Sequence, residues 1–132
     1  MKVFFYIFSL FISTNLIGVD CIAQKGESKK CNGTVGKCLS EGGHVTCENA
    51  TSCEAMNGGT ATCTGIVIND CSAKNEGIVS CTGTVKICQA TDQGITTCPG
   101  NVKSCAAKDK GTVRCPSHVR CRKKSGGKCE KI

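Results

Sequence analysis

Two interleaved series of cysteines run along this chain and constrain its fold more than any other feature. One series falls at positions 31, 47, 63, 81, 98 and 115, with spacings of 16, 16, 18, 17 and 17. The other falls at 38, 53, 71, 88, 105 and 121 and keeps a similar period. Alanine often stands two residues after a second-series cysteine (Ala55, Ala73, Ala90, Ala107), and glycine follows within a few positions (Gly59, Gly77, Gly94, Gly111). A unit this short cannot enclose a core by itself. It must stack on its neighbours, which is how solenoid folds are built.

Alternation inside each unit identifies the element. Val45, Val79 and Val113 stand two residues before a first-series cysteine, and Val35, Val67, Val85, Val102 and Val119 stand four after one. Strand side chains alternate between faces, so these valines share the cysteine's face. The opposite face carries Thr60, Thr62, Thr64 and Ile66 in one unit, Ile78, Ser80, Thr82 and Thr84 in the next, and Thr97 after that. The expectation is an all-β fold: a small disulfide-stapled β-solenoid of about six coils of about 17 residues. Cystine and valine point inward, hydroxyls point outward, and equivalent strands stack about 4.8 Å apart. Pro99 and Pro116 follow first-series cysteines and cannot donate to a ladder, so the C-terminal coils are expected to be less regular. A loop-rich cystine scaffold is the alternative.

Composition explains the need for so many cross-links. Lys2 and the apolar run Val3 to Ile12 read as a signal peptide over residues 1–18. A membrane span needs about 18 or more apolar residues, and this run is shorter. Residues 19–132 then form a single cysteine-rich repeat domain with a basic C-terminal cap, secreted to the extracellular space. Phe4, Phe5, Tyr6, Phe8 and Phe11 are all the aromatics, and beyond the leader the one leucine is Leu39. A conventional core is therefore not available. Fourteen cysteines must supply much of the stability in its place.

Cys21, ten residues before Cys31 and followed by Ala23, belongs to the second series. Cleavage after Gly18 keeps fourteen cysteines, whereas cleavage after Cys21 or Ala23 leaves thirteen. Joining each second-series cysteine to the next first-series one uses every thiol: Cys21–Cys31, Cys38–Cys47, Cys53–Cys63, Cys71–Cys81, Cys88–Cys98, Cys105–Cys115 and Cys121–Cys129. The other local scheme begins with Cys31–Cys38 and strands Cys21 and Cys129 at opposite ends. Sequence alone leaves the choice open.

The pattern points away from catalysis. His44 and His118 are the two histidines and fall in different repeats, at outward positions. The closest cysteines are separated by five residues, which excludes CxxC redox motifs and the usual zinc-ribbon spacing. The expectation is a non-enzymatic protein with no cofactor or metal. Asn32-Gly33-Thr34 and Asn49-Ala50-Thr51 are glycosylation sequons, with Asn49 at a position that other repeats give to glycine.

Charge is segregated. Residues 31–105 hold four basic and six acidic side chains, a net of −2; residues 106–132 hold nine basic and two acidic, a net of +7. Arg120, Arg122, Lys123, Lys124 and Lys128 are the densest part. A solenoid needs a polar end-cap, and such a cluster also suits an anionic surface. The absence of aromatics beyond the leader argues against base stacking, and so against nucleic acid.

Thr62-Cys63-Thr64, with Ser80-Cys81-Thr82 close to it, resembles the TCT repeats of the beetle antifreeze proteins. That resemblance implies a disulfide-filled β-helix whose threonine array, here Thr60, Thr62, Thr64, Ser80, Thr82, Thr84 and Thr97, binds ice. It covers about three coils. The repeat is longer than in that family, and Glu48, Pro99, Arg114 and Pro116 interrupt the array, so the chain is not assigned to it. The leading expectation is surface recognition by a secreted effector, toxin-like or defence protein acting on an extracellular or host protein. Ice binding and cationic antimicrobial or polyanion binding are the alternatives.

Overall fold

The computed structural model describes residues 19–132; the expected leader over 1–18 lies outside them. Those residues form an all-β solenoid of about seven turns with no helix. The strands are β1 (Cys21–Gln24), β2 (Ser28–Glu41), β3 (His44–Met56), β4 (Thr60–Cys63), β5 (Val67–Ala73) and β6 (Ile78–Cys81). They continue with β7 (Thr84–Ala90), β8 (Ile95–Thr97), β9 (Asn101–Lys108), β10 (Thr112–Cys115), β11 (Cys121–Lys124) and β12 (Lys128–Lys131). The ladder runs β11-β9-β7-β5-β3-β4-β6-β8-β10-β12, with β2 and then β1 stacked on β3 at the other end.

Each coil contributes two strands, one to each face of a flattened tube. The first face stacks residues 28–31, 44–47, β4, β6, β8, β10 and β12. The second face stacks β1, residues 34–41, 49–56, β5, β7, β9 and β11. The long strands β2 and β3 run round the corner and serve both faces. First-series cysteines align on the first face and second-series cysteines on the second, and the bridges join the faces. Their pairs are Cys21–Cys31, Cys38–Cys47, Cys53–Cys63, Cys71–Cys81, Cys88–Cys98, Cys105–Cys115 and Cys121–Cys129.

The interior is cystine with small apolar side chains and little else. Val45, Ala61, Val79, Thr96 and Val113 fill one inner row, and Ala55, Ala73, Ala90 and Ala107 another; all are buried. The Thr96 hydroxyl, where neighbouring coils have valine or alanine, donates to the Gln89 carbonyl at 2.6 Å. The valines four after the first-series cysteines line the same interior, but from the second face. The chain turns a corner between cysteine and valine, so a single alternating strand does not describe the unit.

At the opposite edge the faces are joined by stacked tight turns. Gly77 N–H donates to Lys74 O and Gly94 N–H to Thr91 O, at 2.9 and 2.8 Å. Their central residues, Asn75 and Glu76, then Asp92 and Gln93, have positive φ, a conformation that costs most side chains about 1–2 kcal/mol per residue. The glycine that closes each turn lies against the coil before it: a Cβ on Gly77 would come 2.3 Å from the Ala55 carbonyl oxygen. Stacking requires glycine here.

The prolines do not end the solenoid. Thr64 and Thr82 N–H groups donate to Cys47 and Cys63 carbonyls at the first corner. Pro99 and Pro116 follow cysteine in the same way, just beyond the ends of β8 and β10. The loss is confined to a corner position. Cys98 N–H still donates to Arg114 O at 3.0 Å, and the coils continue into β12.

Candidate functional site

Because cystine, valine and alanine fill most of the tube, polar side chains other than Ser40, Ser72 and Thr96 lie outside the buried interior. On the first face Thr46, Thr62, Ser80 and Thr97 form one continuous row over four coils. Lys30 precedes it, and Arg114 and Glu130 follow. These last two are paired, Nε to Oε2 at 2.7 Å. Thr60 lies in the next row, with His44 on one side and Ile78, Ile95 and Thr112 on the other. Thr64 and Thr82 are neighbours at the corner, where the Thr82 hydroxyl faces the Thr64 carbonyl at 3.4 Å.

Thr84 does not join this surface. It opens β7 on the second face, beside Asn101, because the corner at Gly83 interrupts the alternation. Thr46 belongs to the row although the alternation of hydroxyls in the sequence is plainest from Thr60 onward. Its signal was available: it precedes Cys47 as Thr62, Ser80 and Thr97 precede their cysteines.

The basic cluster is divided by the geometry. Arg122 and Lys124 continue the outer rows of the second face after Ala106 and Lys108. Lys123 continues the inner row of Ala107, yet it is exposed at the end of the tube. Lys128 lies on the first face beyond Thr112. Arg120 and Arg122 meet Lys103, from the preceding coil, around a depression of about 410 Å³ that also includes Ile87 and Ser104 and has no carboxylate in its lining. The two acidic residues of this end are engaged elsewhere, Glu130 with Arg114 and Asp109 with Lys108 at 3.2 Å. Lys103 was outside the cluster seen in sequence, because only stacking of β9 on β11 brings it near the arginines.

His44 and His118 are both exposed and lie four coils apart, so they are not brought together. Asp70 and Gln89 are joined across the second face at 3.1 Å, and the nearby Ser72 hydroxyl is buried with no partner among the described residues. The Glu27 carboxyl is held below the ordinary carboxylate range by the Gln24 backbone N–H, and further by Lys29. Sulfurs of neighbouring rungs approach within 4.8 Å in three groups: Cys38, Cys47 and Cys63; Cys53, Cys71 and Cys81; and Cys88, Cys105 and Cys115. All are disulfide sulfurs and not the thiolates that ligate metals.

Asn32 is exposed, and Asn49 is partly buried at the first corner. Compared with known proteins, the chain matches no family model, no curated protein and no solved structure. Seven disulfides fit an oxidising, extracellular setting, and a cystine-stapled repeat solenoid fits an extracellular non-enzymatic protein.

Proposed function

We propose that this chain is a secreted, non-enzymatic recognition protein of the effector, toxin-like or defence kind, and that it binds an acidic surface on an extracellular partner protein through its C-terminal end. The observation that supports this is the depression between Lys103, Arg120 and Arg122, which gathers three cations from two coils without a carboxylate. The rigid tube holds these groups in place before binding, which lowers the ordering cost of association. Lys124 and Lys128 extend the positive field around the same end and steer an acidic partner toward it.

The test is retention on an anionic matrix such as heparin, with and without Lys103→Gln, Arg120→Gln and Arg122→Gln together. Binding by the wild type falls steeply between low and moderate salt, and the triple variant loses at least tenfold in affinity while its disulfides and denaturant midpoint are kept. Equal retention of both forms would reduce this end to a solvated cap.

Ice binding is the second reading, and the four-coil row of Thr46, Thr62, Ser80 and Thr97 is what favours it. A flat array of hydroxyls at the strand repeat could order water; the ordinary twist of sheets opposes flatness. Thermal hysteresis that disappears in both Thr62→Lys and Ser80→Lys, with the bridges intact, would make it the better reading.

A further inference from the structure

The two sequons share one corner of the solenoid. In the register of β2 and β3, Thr34 lies against Asn49, so the second sequon begins one coil on from where the first ends. The coil beyond brings Ile66 and Ile68 to this corner, 58 % and 59 % exposed, the most exposed large apolar side chains among the described residues. Thr34, Asn49, Ile66 and Ile68 together line a shallow cavity of about 270 Å³. Asn49 Oδ1 accepts a hydrogen bond from Ile66 N–H at 2.8 Å. That bond orients the amide through its oxygen and leaves the nitrogen, the atom to which an N-linked sugar is joined, outside it.

We propose that Asn49 carries an N-linked glycan whose first N-acetylglucosamine lies over Ile66 and Ile68. The reaction is transfer from a polyprenyl-pyrophosphate oligosaccharide of the secretory pathway. The Asn49 amide nitrogen attacks the sugar's C1, the C1–O bond to the lipid pyrophosphate breaks, and the nitrogen gives up one proton. Thr51 supplies the hydroxyl that the sequon requires. The product keeps Oδ1 as a carbonyl, so the bond from Ile66 N–H survives. The C–H face of a pyranose suits two aliphatic side chains that would otherwise stay in water. The register sets Thr34, and not Asn32, against Asn49, so Asn32 stands two residues back from the position beside the isoleucines. Asn49 lines the cavity with the isoleucines, whereas Asn32 does not, and Asn32 stays bare.

The proposal rests on the secretory part of the proposed function, and the experiment separates the two. The full chain with its leader is expressed in a eukaryotic secretory host, and peptides of the secreted product are weighed. Sugar is expected on Asn49 and not on Asn32, and Thr51→Ala abolishes it. Binding of a hydrophobic dye is then compared in three forms: intact, trimmed enzymatically to a single N-acetylglucosamine, and bare Thr51→Ala. The bare form binds dye severalfold more than the other two, and adding Ile66→Ser and Ile68→Ser to it removes the excess. Secretion with a bare Asn49, sugar on Asn32 alone, or equal dye binding by trimmed and bare forms overturns the proposal. Retention of the chain in the cytosol overturns the secretory reading and takes this inference with it.

Discussion

The Cys71–Cys81 rung in the middle of the tube and the Cys121–Cys129 rung at its end close loops of similar size, with sequence separations of 10 and 8. Their surroundings differ. Cys71 and Cys81 are fully buried, between valine and alanine rows contributed by coils on both sides. Cys121 and Cys129 are partly exposed, and lysines take up inner positions beside them: Lys123 after Ala107, and Lys131 after Cys115. Lys131 reaches round to the Val119 carbonyl. The other end is similar, with Lys29 in the inner row of Val45. A rung is therefore sealed by its neighbours and not by its own residues. Where the neighbour is missing, the inner row becomes surface, and lysine there discourages another sheet from adding to the open edge.

This contrast can be broken most directly by removing the bridges. Loop-closure entropy assigns about 2.7 kcal/mol to a ten-residue loop and about 2.5 to an eight-residue one, so the unfolded-state contributions nearly match. Any larger difference comes from the folded state. Replacing Cys71 and Cys81 with serine leaves polar groups in a sealed interior and is expected to cost about 2–5 kcal/mol, enough to unfold much of the chain. The same change at Cys121 and Cys129 is expected to cost under half as much and to fray only the last coil. Denaturant unfolding of the two double mutants decides this, and equal losses would remove the distinction between middle and end. Under limited reductant, mapping of alkylated peptides should find Cys121 and Cys129 among the first thiols released.

The turn glycines sharpen the comparison. A Cβ on Gly77 would meet Ala55 O at 2.3 Å, and one on Gly127 would meet Ala107 O at 2.2 Å. The local clash is the same. Gly77→Ala is nevertheless expected to cost about 1–3 kcal/mol or more, in the range of overpacking, since coils on both sides resist displacement. Gly127→Ala should cost less, since the last coil can lift away from the tube. Hydrogen exchange of the β9 and β11 amides would detect that lifting.

The smallest effect is expected at Ser72. Its hydroxyl is buried on the second face with no partner among the described residues, and an unsatisfied buried polar group is unfavourable. Ser72→Ala is expected to be neutral or stabilising by up to about 1 kcal/mol in denaturant melts. A clear loss would mean that the hydroxyl has a partner in solution.

Much of this architecture is legible in the sequence because cysteine marks the inside without ambiguity. The period, the division into inner and outer residues, and a pairing that consumes every thiol follow from the two cysteine rows. What misleads is alternation carried too far. Cys53 lies three positions after Ala50, and Cys88 three after Val85, an odd offset, yet all four are buried. A regular strand cannot place both members of such a pair inside, and the register shifts between Ala50 and Cys53 as it does at a β-bulge. The corner at Gly83 sends Thr84 to the other face for a related reason. Counting coils by the first cysteine series gives about six, whereas the seven bridges correspond to about seven turns.

The sequence by itself determined that this chain has little to bury except cystine, valine and alanine, and that it must stack short units to bury them. It also determined that positive charge collects at one end. Only the tertiary structure decided which outer residues become neighbours. Contacts across the ladder join residues about 17 positions apart, and one corner or bulge shifts every side chain beyond it by a row. That is why Thr46 completes the hydroxyl row, why Lys103 meets Arg120 and Arg122, and why two sequons come to lie beside Ile66 and Ile68.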